Sequence, residues 1–558
     1  MPGLLLLLLA AGGAMAQVEL LPLDHPATRT LVRLYEFGAI PQFPREHLPI
    51  ARGLALRFLE EALSTPGIPG SLREQAEYYR VELMADGGAV PTAVIISTSD
   101  SSISIFDHPL EGLPLAIIEH RDTSLGAHIV FAPVLDGELR IDPAESQKAL
   151  VAQGGAELRG TVLNHVGFAA RITNGSIAGD SSIAARDPRI RRNGSFSVTA
   201  FGRDVGFGDG HLRVDYSGVA VEIGREKIQL GGGLDQSLLL GAPLPSNLDY
   251  LRLTANLGLF SFSHIHASLL SEPVLGVDPL HPNDQSGPFS TIPSKYIALH
   301  LLSVGPIAGV RLSLGESVIY HGRGFEIGYL NPFNFMKSQE QYLRDRDNGN
   351  MYLALSVAPV GRALLEGELM IDDYRFSKVG EGFIGNKIAW RLGARATAFP
   401  VEQVDLGISY TRLEPYIFTH FNTLNSYTQD RMSLAAGGLQ PNSYLLEPRL
   451  ALQLAPNLQL RLVAGFGEHG VNIVDSLGGM IRNVGGDINR PPDTTSSPGP
   501  VRFLDGEIET LTQLRLEAEY EPLRNIYLRV IATRNRTASA IATLTDTQVW
   551  FGLRIGAY

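Results

Sequence analysis

From about residue 93 onward the chain alternates apolar and polar residues with a period of two, segment after segment. QLRLEAEY (513–520) sets Leu514, Leu516, Ala518 and Tyr520 against Gln513, Arg515, Glu517 and Glu519. NKIAWRLGARATAF sets Ile388, Trp390, Leu392, Ala394 and Ala396 against Lys387, Arg391, Arg395 and Thr397, and EPRLALQL, LLEGELMIDD and NIYLRVIAT do the same. Successive side chains of a strand point to opposite faces, so each segment is a ribbon with one apolar and one charged face. A soluble sandwich turns the apolar face inward, whereas a membrane barrel turns it outward to lipid and lines its lumen with charge. Alternation by itself fits both.

The connections separate the two. Read back from Tyr558, short links such as EPLRN, APN, FPVEQ (399–403), APVG (358–361) and VGPIAG (304–309) take turns with longer ones at about 270–294, 322–350, 375–385, 417–443 and 471–506. A long TRNRTASAIATLTD link is expected between the last two strands. Short turns at one rim and long loops at the other are the mark of an antiparallel outer-membrane meander. The region 93–558 has room for roughly 18 strands at ~10 residues each. The expected fold is all-β: a transmembrane antiparallel barrel.

MPGLLLLLLAAGGAMAQ opens the chain with an apolar core and an Ala14-Met15-Ala16 cleavage pattern, which reads as a signal peptide over 1–16, although no Lys or Arg precedes the core. No later stretch has the ~18 consecutive apolar residues of a transmembrane helix. The chain has no cysteine, which excludes disulfides, thiolate metal sites and cysteine nucleophiles. A net charge of -12 argues against nucleic acid as a partner. Between the leader and the strands, 17–92 reads as a periplasmic helical segment. Leu31, Leu34 and Tyr35 share one face, with Thr28 or Thr30 near its start. Leu48, Leu56, Leu59 and Leu63 recur at helical spacing, and Ser71 with Glu74 has the form of a capping box. The chain ends on TQVWFGLRIGAY; an aromatic last residue is usual for barrels inserted by the outer-membrane assembly machinery, though Tyr558 is out of phase with the apolar face.

Several stretches resemble the Wzi family of capsule assembly proteins. GESVIYHGRGFEIGYLNPFNFMKSQEQYLRDRDNGNMYLALSV (315–357) is similar to that family's strand–loop–strand with a Tyr-Leu-Asn-Pro core and a downstream Asp-Asn. GELMIDDYRF (367–376) resembles its paired-aspartate strand end, EPYIFTHFNTLNSYTQDRMSLAAGGLQPNS (414–443) its Gly-x-x-Pro-Asn-Ser pattern, and LPLDHPATRTLVRLYEFGAI (21–40) its helical opening. The loop 471–506 matches no motif of the family. The resemblance implies an 18-stranded outer-membrane barrel, with helices at its periplasmic end, that binds capsular or other surface polysaccharide as a lectin does. It implies outer-membrane lipid as surroundings, no enzyme activity and no cofactor. A diffusion channel or transporter for small solutes is the alternative.

The glycan candidates cluster in HGRGFEIGYLNPFNF. Arg323 can fork two donors onto a carboxylate or vicinal hydroxyls. Tyr329 and Phe333, with Phe335, offer ring faces to a pyranose, and Asn331 offers both donor and acceptor. A structural turn with interfacial aromatics explains the same residues. Glu326, Asp347, Asn350 and Asp372 complete the polar set around it, and Arg391 and Arg395 supply cations that would offset the overall negative charge for an acidic glycan. Asp345 and Asp347 have calcium-loop spacing, but the twelfth position is Ser356 and not Glu. His264 and His266 share a strand face without an identifiable third metal ligand. GDSS (179–182) lacks the partners of a serine nucleophile, and LGGGLD (230–235) lacks the following helix of a phosphate loop.

Overall fold

The computed structural model describes residues 17–556 except 87–92, 100–101, 108–114, 200–201, 234–235, 242–246, 272–273, 277–288, 308, 359–361, 494–495 and 497–498. The expected signal peptide and Tyr558 lie outside the described residues.

The strands close into an 18-stranded antiparallel barrel. Its first strand, Ala127–Asp142, pairs with its last, Thr543–Gly556, from Ile141↔Val549 to Val134↔Gly556. The lower part of the first strand instead pairs with Leu115–Asp122, which continues through a parallel contact into Ala93–Ser99 and its hairpin partner Ser102–Asp107. Faces follow the sequence parity. In the strand Glu507–Leu523, Leu514 is 44% exposed on the outside while Glu517 is 4% exposed in the lumen. In Asn348–Val357, Met351, Leu353 and Leu355 face out, and Asn350, Tyr352, Ala354 and Ser356 are buried within. Leucine outside and glutamate inside is the polarity of a barrel wall in hydrocarbon.

One expected connection is absent. The strands Ile526–Ala538 and Thr543–Gly556 continue through most of the supposed 533–546 link, leaving a turn at 539–542, because cross-strand pairing extends to Ala538↔Thr543.

At the mouth with the short turns lie three helices: α1 (Pro26–Phe37), α2 (Arg52–Ser64) and α3 (Gly70–Asp86). Leu31, Leu34, Phe43, Leu59, Leu72 and Leu83 form their shared core. The caps differ from expectation. His25, not a threonine, caps α1: its Nδ1 accepts from Ala27 N at 3.1 Å, with Pro26 opening the helix. Thr28 and Thr30 lie inside the helix. The first turn of α3 is tied to the wall: Ser71 N donates to Glu402 Oε2 at 3.3 Å and Ser71 Oγ to the Glu402 carbonyl at 2.6 Å, while Glu74 is exposed.

The helices are bonded to the wall around the mouth. Val18 N donates to Thr161 Oγ1 (2.8 Å), Leu20 N to His211 Nε2 (3.1 Å), Arg33 pairs with Asp405 (2.6 Å), Tyr78 donates to Glu521 (2.9 Å) and Arg524 to Glu82 (3.1 Å). The segment after α1 rises into the lumen. Both ring nitrogens of His47 bond wall serines, Ser263 and Ser303, at 2.9 Å, and Arg45 meets Glu366 at 2.6 Å. A strap, 227–241, leaves the wall beside Asp24, which Lys227 meets at 2.7 Å, and joins this rising segment: His47–Leu48 pairs with Gln229–Leu230, and Gly231 N donates to the Glu46 carbonyl at 3.0 Å. Gly231 sits at φ +105, and a Cβ there would fall 1.9 Å from Ser237 Oγ, so this turn of the LGGGLD stretch requires glycine. The strap's Leu238, Leu239 and Leu240 pack with Ile417, Phe418, Tyr427 and Leu434 of the 414–442 loop in one apolar cluster inside the wall.

Candidate functional site

The apolar insert fills one side of the lumen. The other side, walled by strands from 127 to 226 and from 458 to 556, is polar. Its centre is the inward face of Glu507–Leu523. Glu517 accepts from Arg461 at 2.6 Å and Arg515 at 3.3 Å, with Arg529 at 3.6 Å and Arg29 of α1 at 3.9 Å. Glu519 takes Arg529 at 2.6 Å. The carboxylates lie beneath and the cations in front: the Arg515, Arg529 and Arg461 side chains are 49%, 34% and 22% exposed, against 5% for Glu517. Register makes the cluster, bringing Arg461 opposite Glu517 and Arg529 opposite Glu519 from two neighbouring strands.

Ion pairs continue round this half of the wall. Arg554 meets Asp136 at 2.9 Å and Arg171 meets Glu157 at 2.6 Å. Arg140 binds Glu138 and, at 2.8 Å, Asp187, with its guanidinium 4.4 Å over the Trp550 ring. At the outer rim Arg186 joins Asp142 (2.6 Å) to Asp546 (2.8 Å). Burial pushes the Asp187 carboxyl up, but Arg189 and Arg140 outweigh it and hold the group well below the usual carboxylate range. A cavity of about 70 Å³ lies lower down, lined by Arg52, Arg171, Glu157, Asp209 and Lys227 among others. Such a surface can offer many charge-assisted hydrogen bonds to carboxylate and hydroxyl groups at once.

The sequence candidates separate into three places. Arg323, Glu326, Tyr329, Asn331, Phe333 and Asp347 all lie on the 322–347 excursion, which folds back over the outside of the barrel. Its Tyr329 and Met336 pack on Ala298, Val318 and Tyr320, whose chain neighbours Ile297 and Ile319 belong to the cluster inside the wall. There the Arg323 fork is occupied by Asp347, at 2.9 and 2.5 Å, with Glu326 at 3.6 Å. Tyr329 OH also donates to Asp347, at 2.9 Å. Burial and the Asp347 charge raise the Tyr329 phenol far above its ordinary range. Asn331 Oδ1 closes a local turn onto Phe333 N at 3.0 Å, and Phe333 is exposed. Asn350 and Asp372 are buried at the top of the lumen, where Asp372 accepts from Phe418 N (3.2 Å) and faces Lys387 (3.6 Å). Arg391 and Arg395 are deeper. Arg391 is held by Glu366 (2.8 Å) and Glu368 (3.1 Å), and Arg395 by Glu36 of α1 (2.8 Å). Arg391 and Arg395 therefore bind the insert together rather than joining the excursion.

His264 and His266 share the outer face under this excursion, where His266 Nε2 lies 2.7 Å from Tyr320 OH. Among the described residues no group of three or more His, Asp or Glu is placed to hold a metal ion. The GDSS stretch is a helix cap: Asp180 Oδ1 accepts from Ser182 N at 2.9 Å. Arg515, Glu517 and Glu519 were legible as lumen residues from their parity. Arg461, Arg529, Arg140 and Trp550 gave the same parity signal, but their convergence depends on strand register.

No family model and no curated protein sequence matches this chain. Among solved structures, Wzi of Escherichia coli, an outer-membrane protein involved in group 1 capsule assembly and described as a carbohydrate-binding β-barrel, is similar over 97% of this chain and 99% of its own, with TM-score 0.55 and 11% identity. Pseudomonas aeruginosa OccK8 (OprE) covers 76% of this chain and 97% of its own at 10% identity and TM-score 0.42, and Pseudomonas aeruginosa OprD covers 76% and 94% at 10% identity and 0.41. The likeness to Wzi is one of fold.

Proposed function

We propose that this outer-membrane β-barrel holds surface polysaccharide at its outer mouth, in the manner of a lectin and without catalysis. The observation that carries this reading is the half-filled lumen above the helices. The helices are bonded to the wall around the periplasmic mouth, and the strap meets the rising His47 segment inside the barrel. A polar half-lumen closed at its base is a receptor for something that enters from outside and stays. The Wzi barrel, similar in fold, is described as carbohydrate-binding. In this reading Arg515, Arg529 and Arg461 present donors to the carboxylates or hydroxyls of a capsular glycan, which answers the repulsion expected from a net charge of -12. Arg323 is already committed to Asp347, so the excursion is not the glycan site in this scheme.

The test uses purified barrel and an acidic capsular polysaccharide. Arg515→Ala with Arg529→Ala is expected to weaken retention about tenfold or more, from the loss of charge-assisted hydrogen bonds. Arg323→Ala is expected to leave retention unchanged. Planar-bilayer recordings of the native chain are expected to show no steady conductance. Steady current together with intact retention in the double variant would replace the binding reading with a channel.

A further inference from the structure

The 322–347 excursion lies where a soluble loop would not. Its inner face roofs polar groups that point outward from the wall: Met336 N donates to Glu316 at 2.8 Å, and Phe325 meets the His266 ring at 4.8 Å. Without this roof, His264, His266, His300 and Glu316 would stand among the lipid-facing positions of their strands. Its free face is apolar. Ile327, Phe333, Phe335 and Tyr342 are 80%, 87%, 70% and 81% exposed. On the same outer face, nearer the short-turn end of the neighbouring strands, Leu312, Leu314, Leu353 and Leu355 continue the apolar surface. After the helix Met336–Tyr342 come Arg344 and Arg346, both exposed and without an ion pair among the described residues. Lys337 is instead neutralised by Glu340 at 2.7 Å and faces Asp345 at 3.7 Å.

We propose that this excursion is a lipid-binding collar, its aromatic face seated in the acyl–headgroup boundary of the outer leaflet and Arg344 and Arg346 set against the phosphates of a phosphorylated lipid. Continuity with the apolar band selects lipid as the occupant, and the basic pair in a chain of net charge -12 selects an anionic headgroup. An aromatic and aliphatic face beside cationic tips is the composition of an interfacial segment, and barrels carry aromatic residues at this level of the wall. The inference stands apart from the glycan reading, since it uses none of the half-lumen residues.

The chain's two tryptophans supply internal controls. Trp390 packs against Tyr410 on the outer wall with ring centroids 5.1 Å apart, whereas Trp550 lies in the lumen beneath Arg140. With both changed to Phe, Phe333→Trp and Phe335→Trp reporters are folded into phosphatidylglycerol vesicles with plain or brominated acyl chains. Reporter emission is expected to fall in brominated vesicles, as that of Trp390 is expected to in a chain keeping it alone and that of Trp550 is not, and to resist aqueous iodide. Quenching by iodide but not by bromine would overturn the proposal. So would protection from both quenchers accompanied by self-association, or by a response to added polysaccharide alone. In parallel, Arg344→Ala with Arg346→Ala is expected to reduce phosphorylated lipid retained per folded barrel at least twofold, counted by native mass spectrometry. An unchanged count would remove the headgroup contact.

Discussion

Glu368 binds four donors from three parts of the chain. Its Oε2 accepts from Ser237 Oγ (3.1 Å) and Leu238 N (2.9 Å) of the strap and from Tyr352 OH (2.9 Å), while Oε1 takes Arg391 Nη1 (3.1 Å). One carboxylate thus pins the strap to the wall. Removing it leaves Arg391 with only part of its compensation and strands the strap's donors, a loss on the order of 3–5 kcal/mol for a buried pair. The chain has no cysteine, so Leu239→Cys supplies a single buried thiol as a reporter. We expect that thiol to resist maleimide when Glu368 is present and to react when Glu368→Ala is added. Equal protection in both would show that the apolar cluster alone seats the strap. At this scale the sequence is informative about direction and silent about partner. Parity puts Arg515 and Glu517 in the lumen, but nothing local shows that Asp347, 24 residues downstream, takes the fork of Arg323.

The elements extend the same lesson. The three helices are legible from apolar spacing, except that Leu48, read with α2, pairs instead with Gln229 of the strap and α2 opens only at Arg52. The first turn of α3 is held by Glu402 on a strand turn, a partner no capping motif can reveal. The stretch at about 417–443 reads as one of the long links, and in the structure it caps the lumen, with Phe418, Tyr427 and Leu434, and Tyr416 just before it, fully buried. His420 sits on this cap. Burial lowers its imidazole to about 4, Lys387 adds to the shift, and Asp373 and Asp347 oppose it. An unfolded histidine titrates near ~6.5. The folded value lies below the unfolded one, so the opened cap binds the proton more readily between them. The stabilisation linked to neutral His420 is therefore complete above about 6.5 and is lost as pH falls toward 4. Hydrogen exchange of 416–434, corrected for intrinsic rate, is expected to accelerate between pH 7 and pH 4.5 in the native chain, and to do so less in His420→Gln. An equal acceleration in the variant would assign the effect to other groups.

For the whole molecule, alternation gives each strand two faces, and the surroundings decide which one is the exterior. The barrel and the short-turn and long-loop rims could be read from that alternation and the link lengths, because both are local properties of the chain. The 322–347 excursion could not be placed in the same way. Its aromatics suit a sugar or a membrane equally, and only the parity of the wall beneath it, with Val318 and Tyr320 outside and Ile319 inside, puts it on the lipid face. The orientation itself can be tested with two adjacent residues in the middle of one strand. Gln513 faces the lumen, where a Cβ built on Gly465 would lie 3.2 Å from it, and Leu514 faces out. Arginine at Leu514 would stand in hydrocarbon, at a cost of ~2–4 kcal/mol near the bilayer midplane. Arginine at Gln513 would join a wall already carrying Arg515 and Arg461, where water and carboxylates solvate it. Urea unfolding of the barrel in lipid vesicles is therefore expected to show a loss of that size for Leu514→Arg and a change of less than ~1 kcal/mol for Gln513→Arg. The reverse order would turn the wall inside out, and with it every assignment of lumen and lipid face made from parity.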